Sequence, residues 1–198
     1  MKITVFTPTY NRAHLLDKLY TSLVIQTNRD FEWLIVDDGS IDDTKDVVQS
    51  FIKDDKIKIR YIFQGNGGKH RAINKGLDIA EGELFFIVDS DDTLIPTAIE
   101  LVLKKYKSVE NCPEFAGISF NRGYSEKEII GKTFSSEFKD CTNLERGKNN
   151  ILGDKSEIYK TEILRNIKFP EIEGENFMSE IVLWNEVARQ GYKLRWYN

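Results

Sequence analysis

The chain has 198 residues, of which 40% are hydrophobic and 30% charged, with a formal net charge of −4. This describes an ordinary globular chain, long enough for one α/β domain with a sizeable core rather than a disordered or fibrous one. The acidic balance gives no electrostatic case for nucleic acid as a partner, and the longest apolar run, at 84–88, is far too short to span a bilayer.

In chain order, residues 3–6 form a predicted strand that runs into Pro8, and residues 12–26 carry Leu15, Leu16, Leu19 and Leu23 at helical spacing. Residues 31–36 (FEWLIV) read as a near-continuous apolar strand, as expected of a parallel strand covered on both faces. Residues 42–52 read as a helix with Val47, Val48, Phe51 and Ile52 inward, and 58–63 as a third strand. A helix over 68–80, a fourth strand over 84–88 and a helix over 96–106 with Pro96 near its first turn complete the front half.

Beyond Val109 the rhythm changes. A strand is expected over 116–121, a polar, charge-mixed stretch over 122–150, a strand over 155–159, a short helix over 161–165 and a strong helix over 177–190 ending at Gly191. No repeat or Pro/Gly/Ser-rich linker marks a boundary, so the expected organisation is one domain, 1–198, with a front half (1–110) and a back half (111–198). The N-terminal MKITVFTPTYNR is too short and polar for a signal peptide. Cys112 and Cys141 occur in no CxxC or Cys/His spacing, which fits a reduced, cytoplasmic chain. The chain stops at KLRWYN just after an expected strand, as the front part of a longer protein would.

Four strand–helix units predict a parallel sheet with helices on both faces, whose ligands sit outside the carboxyl ends of the strands. TPTYNR, DDGSIDD, QGNGGKHR and DSDD follow strands one to four and would line one rim. Each has a plain alternative. DDGS suits a tight turn, although a turn does not require both Asp37 and Asp38. QGNGGKH offers backbone N–H groups and cations at a helix start, a workable diphosphate contact, yet it fits neither the dinucleotide nor the P-loop fingerprint and is readable as a mere loop. Asp89 and Asp91 sit two apart and face one side of an extended segment, where they could hold Mg2+ or Mn2+ with substrate oxygens; a solvated turn is the alternative. His14 and His70 lack a second ligand at metal-binding spacing and read as ordinary polar residues, while Trp33, Phe85 and Phe86 read as core. No GxSxG elbow or Cys/His pair supports covalent catalysis.

PTYNR, DDGSxDDT, NGGKHxAxNxG and GExxFxxDSDD, in this order between residue 2 and about residue 110, resemble the family 2 glycosyltransferases of GT-A fold. The back half matches more loosely, through FPEIEGENFMSEIVLWNEVA. The resemblance implies an α/β, Rossmann-like, mostly parallel sheet with a nucleotide-sugar-binding front half and a smaller acceptor-side back half. It implies inverting transfer of a hexosyl or N-acetylhexosaminyl group from a nucleoside-diphosphate sugar, by default a UDP-sugar, to a hydroxyl of a glycan or lipid-linked acceptor. Carried over, Pro8, Thr9, Tyr10 and Arg12 frame the base, Asp38 with Asp37 contacts it, and Lys69 with its glycine loop lies near the base or diphosphate. Asp89 approaches the ribose and, with Asp91 as the principal ligand and Asp92 as helper, holds Mn2+ or Mg2+. Soluble members often build polysaccharide or glycolipid at the cytosolic face, so peripheral membrane association is a further expectation.

The pattern breaks at the acceptor-side helix. Family members often carry Glu-Asp there with the Asp as base, whereas this chain has Glu180-Ile181. Ile181, three residues from both Met178 and Trp184, suits packing, which leaves Glu180 as the best available base, ionised in a first helical turn, with Glu175 and Asp154 in reserve. Processive members carry QxxRW. Arg195-Trp196 occurs here behind Tyr192 in place of Gln, so transfer of a single sugar is expected. Two rivals remain. IVDSDDTL also fits the haloacid dehalogenase phosphatase motif, although that motif opens its fold and needs a later acidic pair. A non-catalytic nucleotide-sugar binder would explain Ile181.

Overall fold

Strands β1 (Ile3–Thr9), β2 (Phe31–Asp37), β3 (Ile59–Phe63) and β4 (Leu84–Ile87) alternate with helices α1 (Ala13–Val24), α2 (Thr44–Asp54), α3 (Lys69–Ile79) and α4 (Ala98–Tyr106). This is a computed structural model that describes residues 1–125 and 128–198; residues 126 and 127, part of the expected polar stretch, lie outside it. The back half adds β5 (Phe115–Asn121), a small hairpin of β6 (Gly123–Ser125) and β7 (Glu128–Ile129), β8 (Phe138–Cys141), β9 (Lys155–Lys160), α5 (Thr161–Ile167), α6 (Ile181–Arg189) and β10 (Lys193–Tyr197). Among these residues the main sheet has eight strands in the order β3-β2-β1-β4-β9-β5-β10-β8. The four front strands are parallel; β9 runs against both β4 and β5, and β8 against β10. The α/β class with a mostly parallel sheet follows as expected.

Both faces of β1 and β2 are buried because each is covered by helices. On one face Ile3, Val5, Trp33 and Ile35 pack on Leu16, Leu19, Val48, Phe51 and Ile99; on the other, Phe6, Leu34 and Val36 pack on Ala72, Ile73 and Leu77. Trp33 lies against Tyr20 and Phe51, whose own rings stack 4.2 Å apart. The run FEWLIV hides one charge. Glu32 is fully buried, and it accepts bonds from the Thr4 hydroxyl (2.7 Å), the Glu81 N–H (2.9 Å) and Arg60 (3.2 Å), so the carboxylate is compensated where it lies.

β1 extends through Pro8, beyond the expected end at residue 6. Its ladder with β4 stops at Phe6–Ile87, while that with β2 continues to Thr9–Asp37. The Phe6 carbonyl accepts from Val88 on the β4 side and the Thr9 carbonyl from Asp38 on the β2 side, so the nitrogen of Pro8 turns toward the side where pairing has ended. The missing N–H therefore leaves no gap in the ladder.

In the back half, Gly117 stands opposite Tyr159, whose ring stacks on Trp184 at 4.4 Å. A Cβ on Gly117 would lie 2.0 Å from the Ile158 carbonyl oxygen. Because that neighbour is backbone of a paired strand, it has nowhere to retreat. Arg195 and Trp196 serve the sheet: Arg195 grips Asp140 with two bonds (2.8 and 2.6 Å), and the Trp196 indole donates to the Cys141 carbonyl. Gly117→Ala is expected to lower the unfolding free energy by about 2–3 kcal/mol through overpacking, measured by urea denaturation against the wild-type chain.

Candidate active site

The loops after β1 and β2 are joined to each other before they can bind anything else. Asn11, in the left-handed region (φ 53°), accepts from the Ile41 N–H and donates its own N–H to the Ser40 hydroxyl, both at 2.8 Å. Asp42 accepts from the Ala13 N–H (3.1 Å) at the start of α1. The adjacent pair Asp37-Asp38 is split between two tasks. Asp37 is buried beneath the turn, accepting from the Ser40 N–H (2.8 Å) and the Tyr61 hydroxyl (2.5 Å); it does not line the cleft, contrary to the expectation of a base contact. Burial and this carboxylate raise the Tyr61 pKa, so the hydroxyl keeps its proton and remains a donor.

Asp38 does reach the cleft, but its carboxylate is turned to the glycine loop. It accepts from the Gly67 N–H (3.0 Å), the Gly68 N–H (2.7 Å) and the Gln64 amide (2.7 Å). Gly68 (φ 94°) takes a conformation that L-residues rarely adopt, and a Cβ there would lie 2.1 Å from the Asn176 carbonyl oxygen. The motif QGNGGKH thus brings the start of α3 and the segment around Asn176 into contact.

A cleft of about 450 Å³ opens at the rim, bounded by Pro8, Thr9, Tyr10 and Arg12 from the first loop, Asp38 from the second, Asn66, Gly68 and Lys69 from the third, and Asp89 and Asp91 from the fourth. Asn176 closes the far side. The buried hydroxyl of Thr9 has no hydrogen-bond partner among the described residues. Asp89, Asp91 and Asp92 each offer an oxygen, all within 4.8 Å of one another. Every one of them faces a cation from a different part of the chain. Asp91 meets Arg12 (3.0 Å), Asp89 meets Lys69 (2.7 Å), and Asp92 pairs with Arg122 at the end of β5. An all-oxygen set of this spacing suits a hard divalent cation such as Mg2+ or Mn2+.

Glu180 enters the same cluster. Its carboxylate lies 2.5 Å from the Lys69 ammonium, so Lys69 is shared between Asp89 and Glu180. Burial works to lower the Lys69 pKa, but the two carboxylates outweigh it and hold the group above its ordinary value. The helix expected over 177–190 begins only at Ile181, so Glu180 is the residue before the first turn rather than within it, and its side chain caps no N–H. Residues 169–176 are held to α3 instead of continuing a helix. Asn74 exchanges two bonds with the Phe169 backbone, and Arg71 donates to the carbonyls of Ile172 and Glu175. The late start also changes Ile181. Met178 is not helical, Leu183, Trp184 and Val187 turn inward, and Ile181 stays 43% exposed rather than packed.

The reserve carboxylates have partners of their own. Glu175 accepts from the Phe177 N–H and Asp154 pairs with Arg122. His70 is not an ordinary polar residue: it is fully buried, edge-on to Phe169, with neither ring nitrogen hydrogen-bonded among the described residues. The polar stretch also hid Arg122 and Arg146, cations after strand or turn ends that no motif flagged. Arg146 lies 3.7 Å from Glu157 on β9. Cross-strand pairing puts Ser119 opposite Glu157 and Asn121 opposite Lys155, forming a polar face beside the acidic triad's strand. Burial raises the Glu157 pKa to about 7, opposed only in part by Arg146.

The sequence model of glycosyl transferase family 2 matches residues 4–167. A GalNAc(5)-diNAcBac-PP-undecaprenol beta-1,3-glucosyltransferase of Campylobacter jejuni is 33% identical over 207 residues, covering 96% of this chain and 60% of that protein. A validoxylamine A glucosyltransferase of Streptomyces hygroscopicus is 39% identical over 105 residues, covering 51% of this chain and 24% of its own. The chain therefore spans only part of the length of these relatives. S. aureus TarS 1-349 in complex with UDP-GlcNAc superimposes with a TM-score of 0.74 at 24% identity, over 99% of this chain and 56% of that one. Mannosyltransferase PcManGT from Pyrobaculum calidifontis, in complex with GDP-Man and Mn2+, gives 0.67 at 21% identity, over 98% and 53%. At these identities the two structures establish the shared fold.

Two outcomes follow from the hydrogen bonds and burial above. Asp38→Ala releases two loop N–H groups and is expected to cost about 3 kcal/mol of stability, read from chemical denaturation. Glu157 releases its proton near 4.5 when unfolded but near 7 in the fold. Between these values the folded chain binds more protons, so stability falls as pH rises through that window and levels off above it. Glu157→Gln removes this dependence. Its stability relative to wild type should therefore rise by roughly 3 kcal/mol between pH 4.5 and pH 7.5, measured by urea unfolding at each pH.

Proposed function

The chain belongs to glycosyl transferase family 2, and we propose that it transfers one sugar, with inversion, from a nucleoside-diphosphate sugar to a hydroxyl of a glycan or lipid-linked acceptor. In this reading residues 1–110 hold the donor and 111–198 shape the acceptor side of a single domain. UDP-sugars are the first donors to test, because UDP and UDP-GlcNAc occupy the TarS structures.

One observation carries the reading: the candidate base and the candidate metal ligand share one ammonium. Lys69 touches Asp89 on the donor side and Glu180 on the acceptor side. A single displacement needs a base and a leaving-group site on either side of one sugar, since the attacking hydroxyl must approach the anomeric carbon opposite the departing diphosphate. As the acceptor oxygen forms its bond to that carbon, the bond from the carbon to the diphosphate oxygen breaks, and Glu180 takes the hydroxyl proton. In this reading the Lys69 ammonium, at the start of α3 in the cleft, favours the diphosphate. Tyr10 and the Thr9 hydroxyl, which has no partner among the described residues, in this reading meet the nucleoside from the cleft wall. When bound to Asp91 and Asp89, with Asp92 beside them, Mn2+ or Mg2+ supplies positive charge for the leaving group. Phe177, 78% exposed and three residues from Glu180, offers an aromatic face to an acceptor sugar ring.

No helix among the described residues is long and apolar enough to cross a membrane. A cytoplasmic chain that meets lipid-linked acceptors at the membrane surface is consistent with this reading.

The test is turnover of UDP-glucose, UDP-galactose and their N-acetyl forms with Mn2+, read as UDP release. Asp91→Ala should abolish metal-dependent UDP binding, and Glu180→Gln should retain UDP binding while lowering turnover by about 10²–10⁴-fold. Full turnover in Glu180→Gln would remove Glu180 as the base. Phosphatase activity on simple phosphomonoesters, lost in Asp89→Asn, would replace the transferase reading altogether.

A further inference from the structure

We propose that Lys69 is a latch on Glu180: in the ligand-free chain its ammonium occupies the Glu180 carboxylate, and a donor diphosphate draws it away, freeing Glu180 for the acceptor. This rests on the cleft being the donor site and adds a coupling between its two sides.

The geometry supplies the parts. The ammonium lies 2.7 Å from Asp89 and 2.5 Å from Glu180, so an acceptor hydroxyl must compete with Lys69 for the Glu180 oxygen it faces. Lys69 opens α3 and lines the cleft directly after Gly68. A diphosphate at that helix start presents more negative charge than either carboxylate, and the flexible four-carbon stem lets the ammonium follow it.

The segment bearing Glu180 does not depend on this ion pair for its place. Asn74 holds Phe169 through two buried bonds, Arg71 holds the carbonyls of Ile172 and Glu175, and Gly68 abuts Asn176. When Lys69 turns away, these contacts still hold residues 169–176, the segment that leads to Glu180, on α3. Lys69 is a positioning residue for the base, and the order it imposes is donor before acceptor.

The latch makes a prediction about binding that a structural role would not. UDP with Mn2+ is titrated calorimetrically into wild type, Glu180→Gln, Lys69→Met and the double variant, with Lys69→Gln as the substitute if the Met variant misfolds. Removing Glu180's charge frees Lys69 for the diphosphate, so Glu180→Gln should bind UDP about fivefold more tightly than wild type. In the Lys69→Met background the same substitution should change affinity by less than about twofold. Unchanged or weaker UDP binding in Glu180→Gln overturns the latch. So does equal tightening with and without Lys69, because that is the signature of general charge removal. If wild type binds neither UDP nor GDP, the donor reading fails and the latch with it; if UDP binds without coupling, only the latch fails.

Discussion

Three carboxylates converge at the end of β4, and their mutual repulsion sets the terms for everything around them. Asp89, Asp91 and Asp92 lie within 4.8 Å of one another, and each is met by a cation from elsewhere: Arg12 after β1, Lys69 at the start of α3, Arg122 after β5. Like charges at this separation are unfavourable unless opposite charge or a cation intervenes. Arg12 and Asp91 are both exposed, so that pair adds little stability by itself. Its effect is positional, because it joins the first loop to the fourth across the mouth of the cleft.

The same constraint explains the division of labour within α3. Its first turns face two ways. Lys69 looks into the cleft, while Arg71 and Asn74 hold the segment leading to Glu180, against which Gly68 also packs. The back half of the chain is thus fixed to the front half beside the cleft. The two buried bonds of Asn74 with the Phe169 backbone make that attachment stiff, and the exchangeable contact is the ammonium of Lys69.

Beneath this rim, the sheet tolerates polarity where a core would ordinarily be apolar. Ser119, Asn121, Lys155 and Glu157 share one face of β5 and β9, and Tyr159 continues it into the stack with Trp184. Glu157 is kept beside Arg146 but incompletely compensated, which is why burial lifts its pKa to about 7. Antiparallel β9 is what brings these side chains next to the β4 terminus, since it inserts between β4 and β5 in the sheet.

The sequence by itself determined the four front strands, their parallel direction and the shared rim, because burial on both faces leaves apolar runs and loops after parallel strands all emerge at one edge. It also determined the family, through motifs whose order was more informative than any one of them. Tertiary structure decided what the individual carboxylates do. Asp37 and Asp38 are adjacent in the chain, yet one is buried on Tyr61 and the other faces the glycine loop, because alternation along a strand end sends neighbours to opposite sides. Helical periodicity carried α6 back to Phe177, while contacts with Arg71 and Asn74, about a hundred residues away in the chain, stopped it at Ile181 and exposed that side chain. The pairing of Lys69 with Glu180 was invisible for the same reason. Periodicity and local motifs report which face a residue takes, whereas a long-range ion pair depends on how two remote segments are packed.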